Sequence, residues 1–401
     1  MEPFAYTLSI SLKAALSGKG DRVMNIVISG FYGLGNTGDE AILEAVISEI
    51  RRKDPTAAIT VFSLSPDETA KRHHVRAVYR GWRHANKEKL RALRQADVLL
   101  SGGGGLLQDR YPTKIISGPL PYYLLVVLLA RLTGTPVMFF SQGIGPVSSR
   151  YGRFLMRTLG NLPFLITVRD EESKVLASSL GIKKPIEVTA DIVFAHPKAP
   201  SARCEASLPD GFGTKKRILV SVRPWFSDTH HYDALAKTCD RLLDDGYELV
   251  FIPMEGHHDV KASRAVTERM INGDSPSIAI LREDFLPHEY LAFVKTGHAL
   301  IGMRLHSLIF AVLQGIPHTA ISYDPKVMQL MRRTGLDAYA LPFASLTAGD
   351  LTDTAHRMLD EHAAIQDVLR TEEATLRTEA ERNIERLYER LPKTRKNNSN
   401  R

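Results

Sequence analysis

The sequence predicts an α/β protein built from two Rossmann-like, doubly wound domains, with long helices near its C-terminal end. From Asn25 onward, short apolar runs alternate with glycine-rich turns and helical patterns, as in parallel sheets covered on both faces. This rhythm breaks once, between residues 196 and 216, and then starts again. From residue 351 to residue 391 only a helical apolar stripe remains.

The first half contains one series of strands and helices. A helix is predicted over residues 39–52, because its apolar residues fall on one face at helical spacing. Five short apolar runs are predicted as strands: Asn25–Ser29, Ala58–Ser63, 97–100, 137–140 and 164–167.

The second half repeats this architecture after a stretch rich in Pro, Ser, Gly and Lys. Its predicted strands are Arg217–Ser221, 248–252, 277–281, Ala299–Gly302 and 318–321. The predicted organisation is an N-terminal extension (1–24), an N-terminal Rossmann-like domain (25–197), a linker (198–216), a C-terminal Rossmann-like domain (217–346), C-terminal helices (347–392) and a basic tail (393–401).

Charge and cysteine content limit the function classes. The 401 residues carry a formal net charge of +7, which suits an anionic substrate, a membrane surface or simply a solvated basic face. Cys204 and Cys239 are the only cysteines and lack metal-ligand spacing, so a reducing cytoplasm is expected. The longest apolar run, residues 124–130, is shorter than the ~20 residues that span a bilayer. We expect a cytoplasmic protein.

Metal binding is not expected. His257, His258 and Asp259 are adjacent, but no further ligands lie at a usual spacing. We interpret these three residues as part of a loop.

Three glycine-rich segments follow predicted strands of the first half, at residues 30–40, 101–109 and 142–146. Their glycine spacing matches neither the dinucleotide fingerprint nor the Walker loop. Tight turns and close packing explain them as well as ligand contact does. Loops at the carboxyl ends of parallel strands nevertheless line one crevice, where ligands bind. The predicted cleft residues are Gly35, Asn36, Asp39, Gly103, Gly104, Asp109, Gln142 and Gly143.

The second half places cations after its strands. Arg304 and His306 follow a strand that ends at Gly302 and lie where a helix begins. Arginine offers a fork for carboxylate or phosphate, and histidine transfers protons near neutral pH. On spacing alone, a salt-bridged arginine and a capping histidine is the favoured interpretation. Arg223 and Lys326 are further cations at strand ends, and together these residues suit a small, highly anionic ligand.

Residues 71–94 contain nine Lys or Arg and one Glu, interleaved with Tyr79 and Trp82. A membrane-facing patch or a solvated helix face is favoured over nucleic-acid binding. We therefore expect no nucleic-acid partner.

Seven segments, taken in order, resemble the polysaccharide pyruvyl transferase family, especially its CsaB-type bacterial branch. They span most of the chain, and the Arg-Leu-His sequence at 304–306 is the most specific of them. The matching segments are residues 30–40, 101–109, 142–146, 167–173, 221–225, 302–307 and 323–326.

The resemblance implies a fold like that of GT-B glycosyltransferases, with an active site between an acceptor-side N-terminal domain and a phosphoenolpyruvate-side C-terminal domain. It implies phosphoenolpyruvate as co-substrate and no cofactor. Arg304 would bind the anionic groups and His306 would act as acid and base; Arg223 and Lys326 are added from their positions alone.

For the CsaB-type branch, the implied acceptor is a lipid-diphosphate-linked disaccharide whose N-acetylmannosamine receives a 4,6-pyruvate ketal. The finished polymer anchors S-layer proteins, and peripheral association with the inner face of the membrane is a further expectation.

Two other functions remain open. One is a nucleotide-sugar glycosyltransferase or epimerase of the same fold, and the other is a glycan-binding module without activity. Ketal formation also needs a second acid or base, for which Asp39, Asp109 and Asp191 are candidates. The residues indicate no oligomeric state.

Overall fold

Two parallel β-sheets organise the chain in the computed structural model, which describes residues 23–82, 84–109, 118–197, 203–226, 228–281 and 285–392. The predicted extension up to residue 22, the first linker residues (198–202) and the basic tail lie outside the described residues. Strands and helices alternate along both halves, so the predicted fold class of two parallel-sheet α/β domains with long C-terminal helices is confirmed.

Seven strands form the first sheet: β1 (Asn25–Ser29), β2 (Ala58–Ser63), β3 (Arg76–Tyr79), β4 (Val98–Leu107), β5 (Val137–Ile144), β6 (Leu165–Val168) and β7 (Glu187–Val188). Their order is β3-β2-β1-β4-β5-β6-β7, and all neighbours are parallel. From β1 the strand order proceeds to one side of the sheet through β2 and β3, and from β4 it proceeds to the other side. The position between β1 and β4 is therefore the switch point, where ligands bind in such folds. Its helices are α1 (Thr37–Lys53), α2 (Pro66–His73), α3 (Asn86–Gln95), α4 (Pro119–Leu132), α5 (Arg150–Leu159) and α6 (Glu171–Ser179).

Six strands form the second sheet: β8 (Arg217–Ser221), β9 (Glu248–Phe251), β10 (Ile278–Ile280), β11 (Ala299–Gly302), β12 (His318–Ser322) and β13 (Ala340–Pro342). The order β10-β9-β8-β11-β12-β13 places the switch point between β8 and β11. The helices of this half are α7 (Arg203–Ala206), α8 (His230–Asp244), α9 (Gly256–Thr267), α10 (Pro287–Val294), α11 (Leu305–Gln314) and α12 (Pro325–Arg333). Two helices follow: α13 (Ala348–Asp360) and α14 (His362–Arg390).

The chain packs as two units whose limits differ from the predicted domains. The first contains residues 23–34, 42–196 and 378–392, and the second contains Gly35–Ala41 and Pro197–Arg377. The predicted linker and α13 therefore belong with the second unit, and α14 is divided at Thr378. The periodicity of a sequence reports local structure, and it carries no information on which unit a segment contacts.

The prediction that residues 101–107 and 142–144 form loops is wrong. β4 continues to Leu107 and β5 to Ile144, and the two extensions pair with each other across a bulge. Glycine makes this pairing compatible with the core. Gly103 has a φ of +73°, and a Cβ atom there would collide with the side chain of Ile42.

The core of the first unit holds the longest apolar run of the sequence, residues 124–130. Leu124 and Val127 of α4 and Phe139 of β5 are all fully buried in it. In the described part of the chain, no helix is both long and apolar enough to cross a membrane.

Both cysteines are buried and neither forms a disulfide. Burial, with a smaller contribution from the neighbouring Asp240 carboxylate, raises the pKa of the Cys239 thiol to about 12.

A buried asparagine attaches the end of α14 to the first sheet. The Asn383 side chain is fully buried, and its Oδ1 accepts hydrogen bonds from the hydroxyls of Thr167 (2.6 Å) and Thr189 (3.1 Å). Its Nδ2 donates to the Ala380 carbonyl at 2.9 Å. Both hydroxyls lie at the carboxyl ends of β6 and β7, so this network fixes the helix to that edge.

We expect Asn383→Ala to lower the free energy of unfolding by about 1–3 kcal/mol, because it removes two buried hydrogen bonds and leaves the hydroxyls of Thr167 and Thr189 only the carbonyls of Phe139 (3.2 Å) and Val168 (3.1 Å) as acceptors. Asn161→Ala is the control: its side chain donates to the carbonyls of Arg157 and Gly181 and accepts the Lys183 N–H near the surface, where water replaces those bonds, so the cost should stay below about 1 kcal/mol. Urea denaturation measures both, and equal losses would contradict the role of Asn383.

Candidate active site

The predicted cations meet at the carboxyl edge of the second sheet. Arg223 follows β8 by two residues, Arg304 follows β11 by two residues, and Lys326 lies in the first turn of α12, after β12. β8 and β11 are the strands on either side of the switch point. The sheet therefore brings three cations from separate parts of the sequence to its expected ligand edge.

Arg304 is held by two carboxylates. Its Nε and Nη2 donate to the two carboxylate oxygens of Asp259, at 2.9 and 2.6 Å, and its Nη1 pairs with Glu255. Burial alone would lower the pKa of the Arg304 guanidinium, but these carboxylates raise it and keep the group charged. The salt-bridged interpretation of Arg304 describes its contacts, and three of its five N–H donors are occupied.

Asp259 is a site residue that sequence reasoning missed. Its side chain is fully buried, and besides Arg304 it accepts the backbone N–H groups of Met254 and Glu255, both at 3.0 Å. The interpretation of residues 257–259 as a loop is wrong, because they form the first turn of α9. Acidic residues at a helix start are common, so only the buried partner distinguishes this one. Within the described ranges, no cluster of His, Cys, Asp and Glu could hold a metal ion.

Tyr323 is the second residue that sequence reasoning did not select. Its hydroxyl accepts a hydrogen bond from Arg223 Nη1 at 3.0 Å, and the Arg223 guanidinium lies 4.8 Å from the ring centroid. Lys326 Nζ is 6.0 Å from the same centroid. Burial would raise the pKa of this phenol, but the charges of Lys326, Arg223 and Arg304 outweigh it and lower the pKa. The potential around the Tyr323 hydroxyl is therefore strongly positive.

Arg223 and Lys326 differ from Arg304 in that no carboxylate among the described residues neutralises their charge. Neither forms an ion pair with a carboxylate in the portion of the chain that the structure describes, whereas Arg304 has two acidic partners. Arg223 also lies 5.4 Å from the ring centroid of Trp225, which packs against Tyr323. The uncompensated charge of the edge belongs to Arg223 and Lys326.

His306 lies in the first turn of α11, against the start of α1. A Cβ atom at Gly38 would collide with the His306 ring at Nδ1, so only glycine allows this approach. Asn36 Oδ1 accepts the N–H groups of Gly38 (3.0 Å) and Asp39 (3.2 Å), which caps α1.

The segment Gly35–Ala41 was assigned to the N-terminal domain, but its contacts place it in the second unit. The Thr37 N–H donates to the Met254 carbonyl at 2.9 Å, and Asn36 forms a β-bridge with Glu255. Gly35, Asn36 and Asp39 therefore belong to the second unit, where Asn36 lies beside Glu255 and Gly38 beside His306. The N-terminus of α1 adds its partial positive charge to this edge.

The other predicted cleft residues lie in the first unit, where several serve structural roles. Gly103, Gly104, Gln142 and Gly143 are in paired strands, and buried Gln142 Nε2 donates to the carbonyls of Gly104 (2.9 Å) and Gly143 (2.8 Å).

Two of the carboxylates considered as acid or base are engaged in the first unit. Asp109 accepts hydrogen bonds from the backbone N–H groups of Ser148 (2.9 Å) and Ser149 (2.8 Å). Burial opposes its ionisation, but hydrogen bonds from the Ser149 hydroxyl, from these N–H groups and from the Ser148 hydroxyl lower its pKa. Asp191 pairs with Arg169 at 3.2 Å. Both are held as partners of neighbouring groups.

Comparison with known families identifies the family of this chain. The model of the polysaccharide pyruvyl transferase family matches residues 36–325, well over half of the chain. The chain belongs to this family. The matched region includes Asn36, Arg223, Arg304 and His306, while Gly35 and Lys326 lie one residue outside it at either end.

A relative of known biological role extends the family match. The amylovoran biosynthesis protein AmsJ of Erwinia amylovora is 23% identical over 399 residues, covering 86% of this chain and 94% of its own. The predicted membership of the polysaccharide pyruvyl transferase family is confirmed by the family match together with this relative.

Solved structures share the fold at low sequence identity. An enzyme of Listeria monocytogenes described as a putative UDP-N-acetylglucosamine 2-epimerase superposes with a TM-score of 0.65 at 11% identity, covering 92% of this chain and 96% of its own. A glycosyltransferase of Rickettsia africae gives a TM-score of 0.61 at 10% identity, with 92% and 99% covered. These similarities show a GT-B-like fold for this pyruvyl transferase family member.

The Arg304–Asp259 pair yields a stability prediction. Asp259→Asn should lower the free energy of unfolding of the second unit by about 3 kcal/mol, because it weakens the compensation of a buried guanidinium. Asp233→Asn is the matched control, since Asp233 pairs with Arg269 at an exposed position and should cost less than about 1 kcal/mol. Chemical denaturation of both variants tests this, and an equal small effect would show that the buried pair contributes little.

Proposed function

We propose that the chain transfers pyruvate from phosphoenolpyruvate to two hydroxyls of a glycan, forming a cyclic ketal and releasing phosphate. The observation that carries this proposal is the convergence of Arg223, Arg304 and Lys326 on the Tyr323 phenol. Phosphoenolpyruvate bears a carboxylate and a phosphate on one small molecule, so it needs a compact and strongly positive edge. Membership of the polysaccharide pyruvyl transferase family supports the same class of reaction.

The proposed reaction balances with two proton transfers. The two acceptor hydroxyls add to C2 of phosphoenolpyruvate, and the bond between C2 and the phosphate oxygen breaks. Of the two hydroxyl protons, one is transferred to the methylene carbon, which becomes a methyl group, and the other leaves with phosphate. Protonation of the methylene carbon makes C2 electrophilic for the first hydroxyl.

We assign the donor contacts by charge compensation. Arg223 and Lys326 hold the phosphate and carboxylate of the donor, because no carboxylate among the described residues neutralises them. Arg304 keeps its place through Asp259 and Glu255 and contributes its field and its remaining N–H groups. His306 transfers a proton, a role that contributes about 10²–10⁴-fold in such reactions.

Asp39 is the carboxylate that we propose as the second acid or base. It follows Gly38, whose Cα borders the His306 ring, and both lie in the second unit. Asp109 and Asp191 lie in the other unit and are held by serines and by Arg169.

The acceptor that we propose is a lipid-diphosphate-linked disaccharide of a cell-wall polymer, with N-acetylmannosamine receiving a 4,6-ketal that serves S-layer anchoring. The enzyme would then work at the membrane surface that carries this lipid. The biosynthetic role named for the relative AmsJ supports a polysaccharide as the product, without specifying its sugars.

The central experiment incubates the purified chain with phosphoenolpyruvate and this disaccharide while phosphate release and acceptor mass are followed together. We expect phosphate release that depends on the acceptor, and a product heavier by one pyruvyl ketal. His306→Ala should reduce turnover about 100-fold or more. His356→Ala is the control, because this histidine pairs with Asp245 at the surface and should keep turnover near wild type. Turnover of a nucleotide sugar, with phosphoenolpyruvate inert, would overturn the proposal.

Gly38→Ala tests the approach of α1 to His306. A methyl group at this position must displace the imidazole ring, so we expect turnover to fall about 10-fold or more, as for misplaced catalytic groups. Folding should persist, because alanine favours a helix over glycine by about 1 kcal/mol.

Gly349→Ala is the matched control for Gly38→Ala. Gly349 is likewise the second residue of its helix, α13, and the nearest atom to a Cβ there is 3.9 Å away. The turnover of the Gly349→Ala variant should equal that of the wild type. Unchanged turnover in Gly38→Ala would show that the position of His306 is not critical.

A further inference from the structure

Two cations are buried inside the first unit, whereas the residues assigned to the donor belong to the second unit. Arg80 directly follows β3 and is 8% exposed, and Lys89 in α3 is 3% exposed. Both belong to the basic stretch 71–94, which the sequence predicts as a surface feature. Arg76, Lys87 and Arg91 of that stretch are indeed exposed, but Arg80 and Lys89 are not.

Aromatic rings and carbonyl groups surround Arg80. Its Nη1 donates to the Gly30 carbonyl at 3.3 Å, a long hydrogen bond. Its guanidinium carbon lies 4.5 Å from the ring centroid of Tyr122 and 5.2 Å from that of Tyr123. These contacts place the guanidinium but leave most of its five donors available.

Lys89 contacts the backbone of Arg80 and of the residue that follows it. Its Nζ donates to the carbonyls of Arg80 (2.9 Å) and Gly81, and lies 4.7 Å from the ring centroid of Trp82. The Tyr122 hydroxyl also donates to the Arg80 carbonyl, at 2.8 Å. Backbone and rings thus hold the two cations side by side.

Neither cation has an acidic partner in any of the described ranges. Fully buried Arg and Lys are rare unless they are paired, because removing a charge from water is costly. Here the cost is increased by a second like charge. Burial first, and then the Arg80 charge, lower the pKa of Lys89 to about 8. Such an arrangement is stabilised when an anion binds.

The location agrees with a ligand site. Gly30 follows β1 at its carboxyl end, and β1 borders the switch point of the first sheet. Half-buried Phe31 and Trp82 flank the two cations. An arginine fork beside a lysine point charge is a combination that binds the oxygens of a phosphate.

We propose that Arg80 and Lys89 form a binding site for a phosphate or diphosphate group within the first unit. Its source is either the lipid-diphosphate of the acceptor or a free phosphate anion. The proposal that the acceptor supplies this phosphate rests on the proposed function, whereas the binding of an anion does not. Each proposal can therefore be disproved without the other.

The first test titrates inorganic pyrophosphate into the full chain at low ionic strength, followed by isothermal calorimetry. We expect a binding event that Arg80→Gln weakens about 10-fold or more, because it removes charge-assisted hydrogen bonds. Arg223→Gln, which alters the cationic edge of the second unit, should retain that event. Survival of every binding event in Arg80→Gln, or loss of the only event in Arg223→Gln, would overturn the proposal.

Proton uptake identifies Lys89 in the same titration. The pKa of Lys89 is lowered to about 8 and a bound anion raises it, so binding near pH 8 takes up protons. Arg80 is the charged group that faces Lys89, and Tyr122 from α4 is neutral at this pH. Titrations in two buffers of different ionisation enthalpy measure the uptake. It should vanish in Lys89→Met, and uptake that persists there would exclude Lys89 from the site.

Arg80→Lys guards against a folding defect. This variant keeps the buried charge but loses the planar fork, so it should fold as the wild type does and bind pyrophosphate with intermediate affinity. Circular dichroism melting curves check the fold of each variant. Wild-type affinity in a folded Arg80→Lys and in a folded Arg80→Gln would contradict the site.

Steady-state kinetics identify the source of the phosphate. If the acceptor supplies it, Arg80→Gln raises KM about 10-fold for the lipid-diphosphate disaccharide and leaves KM unchanged for the same disaccharide without diphosphate. If a free anion occupies the site, pyrophosphate binding is lost in Arg80→Gln while both KM values stay the same. KM for phosphoenolpyruvate is the internal control in both cases.

Discussion

The buried pair of Arg304 and Asp259 is the interaction around which the second unit organises its ligand edge. Arg304 directly precedes α11 and Asp259 lies in the first turn of α9, so one pair joins the segments that follow β11 and β9. Asp259 also receives the N–H groups of Met254 and Glu255, which fixes the segment between β9 and α9. A buried pair of this kind contributes little net free energy, but it specifies geometry strongly, because either partner alone is costly.

That geometry determines what lies next to it. The fixed segment offers the Met254 carbonyl to Thr37 and pairs Glu255 with Asn36, so the start of α1 is positioned in the second unit. Gly38 then lies against His306. Arg223 and Lys326 reach the edge from β8 and α12 without a carboxylate partner among the described residues, and their charges lower the pKa of Tyr323. The neutralised cation serves as scaffold, and the two uncompensated cations are those that we propose for the ligand.

Much of this arrangement could be predicted from the sequence. Alternating apolar runs identify the two sheets, because parallel strands buried on both faces leave a clear periodicity. Strand ends of one sheet share an edge, and this rule predicts that four residues lie together: Arg223, Arg304, His306 and Lys326.

The sequence does not identify the partners of these residues. Asp259 and Tyr323 belong to the site through contacts that form only in the folded chain. The sequence also does not indicate that Arg80 and Lys89 are buried, because their exposed neighbours in the basic stretch are of the same residue types. Four consecutive glycines indicated a loop, whereas the fold uses them to extend a strand past the side chain of Ile42.

The environment of the two cysteines has a practical consequence for spectroscopy. Both thiols are fully buried, and the raised pKa of Cys239 leaves almost no reactive thiolate at neutral pH. Maleimide dyes and thiol-reactive spin labels should therefore not react with the two native cysteines under mild conditions. A cysteine introduced at one exposed position in each unit would become the labelled pair without any background substitution. Fluorescence energy transfer or electron paramagnetic resonance could then follow the separation of the two units in solution, with and without substrates.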